Sequence, residues 1–370
     1  RSTFFGWNMN QETTVSILGN YQRWAGQGRV CITYDREVEP AIEVYELPFV
    51  IGVLGDFAGA SSMVSPDPRD RDFAFVDRHS IDHVLASVEP RLELEIRNGE
   101  HPAIPLRVEL RFQKMADFEP EGIARRIPEL KHRSQWDPAA CSLVDRVLHA
   151  PEFQRLEASW RGLQYLTSQI TPSPSVQVRL FPLTKPELRQ DLVTSQRIQD
   201  SVLYRKVFGD VALECFTDLY SLLVGAYEFT DRAEDVELLV KISQLAAEAH
   251  VPFLAGLSPA VWGWQDFRPL SSVRQESTRD YRLSWRELQR AEAARYLCLC
   301  LPRILLRSSY DHRMLSPGVR YREEIAPADH CKWCWGNAAF GLAAKLGRAA
   351  QRHGWPPAIW TKQEGTLLEG

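Results

Sequence analysis

The chain has 370 residues, is 44% hydrophobic and 25% charged, and carries a formal net charge of -4. That length supports two or three domains with ample core, and the acidic balance argues against a nucleic-acid partner, which selects basic surfaces. No apolar run reaches the roughly 18 residues that span a bilayer, so no membrane partner is expected. The opening residues RSTFFGWNMN lack the layout of a secretory signal. They begin with Arg rather than Met, so residues upstream are expected. Seven cysteines, an odd count without regular spacing, suit reduced cytosolic thiols better than a disulfide framework.

Residues 1–28 are poorly patterned and are expected to form an arm. Arg29–Val38 alternates Val30, Ile32 and Tyr34 with polar neighbours, the period of a half-buried strand. Leu47–Leu54 is almost continuously apolar, as expected of a strand buried on both faces. Gly55–Asp72 is rich in Gly, Ser, Pro and Asp and predicts a loop. Ser80–Ala86 predicts a short helix. Arg91–Ile96 and Leu106–Phe112 predict strands joined by a hairpin loop at Gly99–Pro105, with Leu106, Val108, Leu110 and Phe112 on one face. Pro120–Leu130 predicts a helix, and Gln135–Pro138 the boundary between an N-terminal module (29–134) and a C-terminal one (135–370).

Beyond the boundary the rhythm changes. Asp137-Pro138 supplies an N-cap followed by proline at the first helical position. In Pro151–Leu166, residues Phe153, Leu156, Trp160, Leu163 and Leu166 recur at steps of three and four, one buried face of a helix. Glu157 and Arg161 lie mostly off that stripe, four apart in the favourable acid-before-base order. Val176–Phe181 predicts a strand, and Thr184 with Glu187 a capping box. Leu219–Gly225 (strand), Arg232–Ala249 (helix) and Pro252–Ala255 (strand) follow. Ser284 with Glu287 predicts another capping box, Arg295–Leu301 a strand, and Cys331–His353 one long helix. Strands alternating with helices define an α/β fold of mixed sheets with flanking helices, with α+β elements in the N-terminal module.

No catalytic constellation stands out, and the chain is expected to be no enzyme and to need no cofactor. Gly52, Gly55 and Gly59 follow a strand, but no Lys completes a phosphate loop; a turn with Gly55 or Gly59 at positive φ accounts for them. Cys298 and Cys300 would share a strand face, and Cys331 and Cys334 would sit three apart on a helix beside His330. Zinc would need these elements to meet, and buried free thiols are the simpler expectation. His79 and His83 lie four apart, with Asp77 and Asp82 nearby, a spacing that could form a helical metal pair. Asp56 and Glu228 end apolar strands, where many α/β sites sit, yet no nucleophile or base is apparent beside either. Trp160, Trp262, Trp264, Trp285, Trp333, Trp335, Trp355 and Trp360 are expected as core and interface anchors. The strongest candidate anchors are Phe49, Phe112, Phe153, Trp160, Tyr165, Trp285 and Trp335.

Long strings also carry a resemblance. RVCITYDREVEPAIEVYELPFVIGVLGDFAG (29–59), FVDRHSIDHVLASVEPRLEL (75–94) and LRVELRFQKMADFEPEGIARRIPEL (106–130) resemble the small sheath subunit of the bacterial type VI secretion system. PEFQRLEASWRGLQYL (151–166), LLVGAYEFT (222–230), LAAEAHVPFLAGLSP (245–259), EAARYLCLCLPRILLR (292–307) and WGNAAFGLAAKL (335–346) resemble the large one. The resemblance implies a cytoplasmic structural protein, with the two subunits fused into a sheath-subunit-like fold. Its implied partners are further copies or other sheath subunits, with inner-tube and baseplate proteins beyond them. A different class of role, an adaptor or cap that limits sheath or baseplate assembly, is the alternative. The family's ATPase-recognition helix and tube-facing domain would lie outside these 370 residues, so this stretch alone is expected to bind neither ATPase nor tube and to form at most rings or short stacks. The joint at about Lys131–Pro138 is short, so the halves are expected to pack closely and to share one cooperative unit.

Overall fold

Phe49–Gly55 (β3) occupies the middle of the largest sheet, and its sequence FVIGVLG explains why. A strand covered on both faces must be apolar at consecutive positions, and Val50, Ile51, Val53 and Leu54 are each fully buried. The computed structural model describes residues 33–38, 41–46, 48–61, 64–97, 105–130, 136–208, 219–268, 283–313, 315–316, 319–326 and 329–354. The expected arm at 1–28 lies outside them, as do Trp355 and Trp360 and most of the expected 99–105 loop.

Before β3, Thr33–Val38 (β1) and Ala41–Glu46 (β2) pair antiparallel as a separate two-stranded sheet. β2 was not expected from the sequence. After β3 come the two-residue strand Ala74–Phe75 (β4), the helix Ile81–Val88 (α1), and the antiparallel pair Arg91–Arg97 (β5) and Pro105–Arg111 (β6). The predicted 120–130 helix is shorter: Pro120–Arg126 (α2) ends before Pro128, where a short 3-10 turn begins, because the residue preceding a proline is pushed out of helical geometry. Pro138–Leu148 (α3) starts on an Asp137 cap whose carboxylate accepts from the Ala140 N–H at 2.7 Å.

Pro151–Gln169 (α4), Val176–Pro182 (β7), Lys185–Thr194 (α5), Val202–Phe208 (α6), Leu222–Phe229 (β8), Ala233–Glu248 (α7) and Phe253–Leu257 (β9) follow. The Thr184–Glu187 capping box opens α5 as predicted. Leu283–Arg290 (α8) already contains Ser284, so that residue does not cap it. Leu297–Cys300 (β10), Ile304–Leu305 (β11), Trp335–Gly336 (β12) and Ala338–His353 (α9) complete the order. The long helix predicted from Cys331 thus begins seven residues late. Asn337 caps it, its side chain accepting from the Ala339 N–H, and the preceding residues form a 3-10 turn and the short pairing of β12 with β11. Cys331 and Cys334 are therefore not on a common helix.

The main sheet has six strands in the order β10-β9-β8-β3-β7-β4, parallel throughout except for β4 at one edge. Side chains of successive strand residues point to opposite faces. Ile51 and Val53 accordingly join the core under α4 and α9, whereas Val50 and Leu54 join the opposite core under α5, α6, α7 and α8. The architecture is an α/β layer structure with helices on both faces of a mixed sheet. α4 and α9 approach closely enough that a Cβ on Gly162 would stand 2.4 Å from the Phe340 ring, so only glycine fits there.

Candidate functional site: the seam between the two halves

β3 belongs to the N-terminal stretch of sequence, yet its neighbours on both sides, β7 and β8, belong to the C-terminal stretch. The central sheet therefore draws on sequence from both sides of the boundary expected at Gln135–Pro138. Register is continuous from Phe49↔Val176 to Gly55↔Pro182, and the Ser221 hydroxyl accepts from the Val50 N–H at 3.2 Å.

The chain leaving β3 runs directly onto α4. Phe57 meets Trp160 edge-on at 5.2 Å between centroids, and Trp160 Nε1 donates to the Phe57 carbonyl at 3.0 Å. Both rings are fully buried, so the indole has a polar partner for the one polar atom that it buries. The turn that follows is closed by Asp56, which accepts from the Gly59 N–H, while Gly59 takes φ +58°. That backbone conformation suits glycine and identifies Gly59 as the positive-φ residue of the expected pair. Further along, Phe112 stacks on Phe118 at 4.2 Å, and Phe153 of α4 packs against both rings. On the opposite side of the sheet, Arg71 holds Glu187 at 2.6 Å. Burial raises the Glu187 carboxyl, but the Arg71 bond and the cap contacts to Thr184 outweigh it and hold the pKa below its usual value.

The second part of the seam is charged and buried. Glu157 is fully buried on α4, although its pairing with Arg161 suggested a solvated face. It accepts from Arg161 Nε at 2.7 Å and from Arg307 Nε at 2.8 Å. Arg307 Nη1 also donates to Glu323 at 2.7 Å, and His149 Nε2 lies 3.1 Å from the same carboxylate. The Tyr310 N–H donates to Glu323 at 2.9 Å, Arg161 Nη2 reaches the Tyr310 hydroxyl at 2.6 Å, and the Arg307 guanidinium lies over the Tyr310 ring. Burial alone would raise the Glu323 carboxyl; the bonds from His149 and Arg307 overcome it and hold it at about 2. Burial likewise disfavours the charged forms of Arg307 and Arg161, and the carboxylates more than compensate, so both guanidinium groups are held charged. Nearby, the Tyr321 hydroxyl donates to Asp145 of α3. The network straps Arg307, Tyr310, Tyr321 and Glu323 onto α3 and α4 and the residue that ends α3, His149.

Among the predicted anchors, Phe112, Phe153, Trp160 and Trp285 are buried, whereas Phe49, Tyr165 and Trp335 are half-buried. Trp335 stacks on His330 and donates to its carbonyl. Trp262 and Trp264 stack on each other, half-buried. Arg307, Glu323, Tyr310 and His149 were missed. A signal for one member existed: Glu157 is four residues after Phe153 and three before Trp160, so it shares the stripe of Phe153 and Trp160.

The other candidates take structural roles. Glu228 engages the Arg303 guanidinium with both carboxylate oxygens. Asp77 accepts from the His79 and Ser80 N–H groups, and Asp82 from the Met115 N–H. Among the described residues, no three His, Cys, Asp or Glu side chains are grouped to hold a metal ion, and no helix is long and apolar enough to cross a membrane.

Fold and seam together define an α/β module whose two sequence halves share one sheet. A family model described as EvpB/VC_A0108, tail sheath N-terminal domain, matches residues 133–370, more than half of the chain. A second, described as type VI secretion system, VipA, VC_A0107 or Hcp2, matches residues 23–156. The chain is 30% identical over 242 residues to the type VI secretion system sheath protein TssC1 of Pseudomonas aeruginosa, a match covering 63% of this chain and 48% of that protein. It is 33% identical over 102 residues to sheath protein TssB1 of the same organism, covering 28% of this chain and 59% of that protein. A VipA-N2/VipB contracted sheath of the type VI secretion system is 22% identical with a TM-score of 0.20, over 35% of this chain and 88% of that one. The chain belongs to the type VI tail sheath family, and small- and large-subunit sequences follow one another within it. It spans about half the length of TssC1 and 59% of TssB1.

Proposed function

We propose that this chain is a structural subunit of a contractile type VI sheath, acting in the cytoplasm through its interfaces rather than by catalysis. In this reading the segments 29–134 and 135–370 correspond to the small and large subunits. Their pairing, a bimolecular step between separate chains, becomes intramolecular here. The fused unit assembles with other sheath subunits around an inner tube, with the baseplate as a further partner. The observation that carries the reading is the joint occurrence of the two family matches in one chain. The placement of β3 between β7 and β8 supports it, because a strand supplied by one half completes the sheet of the other. Phe49, Tyr165 and Trp335, half-buried in the single chain, are the anchors we assign to contacts between subunits. Phe75, 51% exposed on the edge strand β4, joins them.

Sedimentation and negative-stain microscopy of the purified chain, alone and with separate small and large sheath subunits, test the proposal. Rings, stacks or co-assembled sheaths are expected. A monodisperse monomer that binds only the ends of preformed sheaths would overturn it in favour of a cap.

A further inference from the structure

Cys298 and Cys300 play no part in the seam. They lie on β10, which among the described residues pairs with β9 alone and so forms an edge of the main sheet. Alternation along the strand sends Leu297 and Leu299 into the core on one face and both thiols to the other. The leucines fix the strand's orientation, and the thiols are thereby held side by side with their Sγ atoms 4.0 Å apart. Cys298 is exposed and Cys300 half-buried. The two thiols share a hydrogen bond; the contact lowers the Cys298 pKa to about 7 and, together with burial, pushes that of Cys300 up.

Three fates are open to such a pair. A disulfide requires the sulfurs at about 2.05 Å and Cα atoms normally no more than about 6.8 Å apart. Two residues of strand already span roughly 6.6 Å, and the sulfurs would have to close by about 2 Å, so this pair sits at the limit of what a disulfide tolerates. A tetrahedral zinc site needs four ligands, and no third ligand group is present among the described residues. A soft cation of low coordination number needs only two thiolates. A two-coordinate cuprous dithiolate is close to linear, and two metal–sulfur bonds of about 2.3 Å then span about 4.6 Å, so the sulfurs, 4.0 Å apart, need to open by only about 0.6 Å, which a small rotation of the exposed Cys298 side chain supplies. Thiolates select cuprous ion over harder cations.

We propose that Cys298 and Cys300 form a two-thiolate site for a soft, low-coordinate monovalent cation such as cuprous ion. On binding, both S–H groups lose their protons to solvent and two sulfur–metal bonds form. The cation enters and remains in its monovalent state, so no electron is transferred. The site is independent of the sheath proposal and adds a ligand to the exposed edge of the sheet.

The test is an anaerobic titration of the reduced 370-residue chain against the coloured cuprous–bicinchoninate complex. The chain is expected to withdraw the cation, with one equivalent per chain lost in Cys298→Ser and in Cys300→Ser and affinity at this site reduced at least about 100-fold. Cys331→Ser is expected to bind as the wild type does. Equimolar zinc is expected to leave the cation in place. Thermal melting of each variant checks the fold; Cys298 is exposed, so its serine variant in particular is expected to melt like the wild type. Undiminished uptake in the folded Cys298→Ser chain, no uptake by the wild type, or displacement by zinc would each overturn the proposal.

Discussion

On α4, Glu157 and Trp160 stand three residues apart, and both are fully buried, yet they fasten the chain in different ways. Trp160 seals an apolar joint: it packs edge-on against Phe57 and adds one hydrogen bond to a carbonyl. Glu157 anchors a charged joint in which Arg161 and Arg307 balance Glu157 and Glu323. Losing apolar contact costs the transfer and cavity terms of the atoms removed. Losing one member of a buried charge network costs more than its contacts, because the partners that remain are left charged and out of water. The comparison predicts that the less conspicuous joint is the more brittle one.

The largest effect is expected for Arg307→Ala. It removes the cation that Glu157 and Glu323 share and leaves the network one positive charge short, with only Arg161 on Glu157 and His149 on Glu323, so destabilisation should reach about 5 kcal/mol, the upper end of the range for breaking a buried pair. Urea unfolding of the purified variant measures it. The sharper form of the experiment adds Glu323→Gln to Arg307→Ala, which leaves Glu157 balanced by Arg161. If the uncompensated charge causes the loss, the double variant should recover a substantial part of it; a double variant no more stable than Arg307→Ala would show that packing, and not charge, is what Arg307 provides.

Trp160→Ala comes next, at about 4 kcal/mol, within the usual cost of deleting a large buried aromatic. It should also uncouple Phe57 from α4. An unfolding midpoint equal to that of wild type would show that α4 does not close against the segment following β3.

Acid offers a finer probe of the charged joint alone. Glu323 is held at about 2 against an ordinary 4.5. A depressed carboxyl contributes stability that is fully present above 4.5 and is lost as pH falls towards about 2, where the native state also takes up the proton. The wild-type melting temperature should therefore drop more steeply across that window than that of Glu323→Gln, each normalised to its value at pH 7. Parallel profiles would mean that Glu323 gains nothing from Arg307 and His149.

The two joints differ equally in how far the sequence disclosed them. The stripe of Phe153, Trp160 and Leu163 follows from spacing within one helix, and the consecutive apolar residues of β3 follow from a strand with no solvent face. Family strings added the pairing of halves. The charged joint was hidden because Arg307 is 150 residues from Glu157, and no local period reports a partner at that distance. The late start of α9 has a local cause that composition masks: residues 331–336 contain nothing that forbids a helix, and it is their pairing with β11 and the Asn337 cap that decides. The thiols of β10 were placed correctly on one face by alternation, but their separation required coordinates.

The smallest effect sets the baseline. Arg155 is on the same helix, one turn before Ser159, but its side chain is 75% exposed, and its contact with Glu152 is 3.5 Å across solvent. Such pairs contribute little because water screens them and two long side chains must be ordered to form them. Its guanidinium also donates to the Pro151 carbonyl at the helix start, an exposed bond that water can replace. Arg155→Ala should thus change stability by no more than about 0.5 kcal/mol, and alanine's better helix propensity offsets part of even that. A loss approaching that of Trp160→Ala would break the comparison at its root, since it would mean that the solvent-facing side of α4 also carries a structural load in the isolated chain.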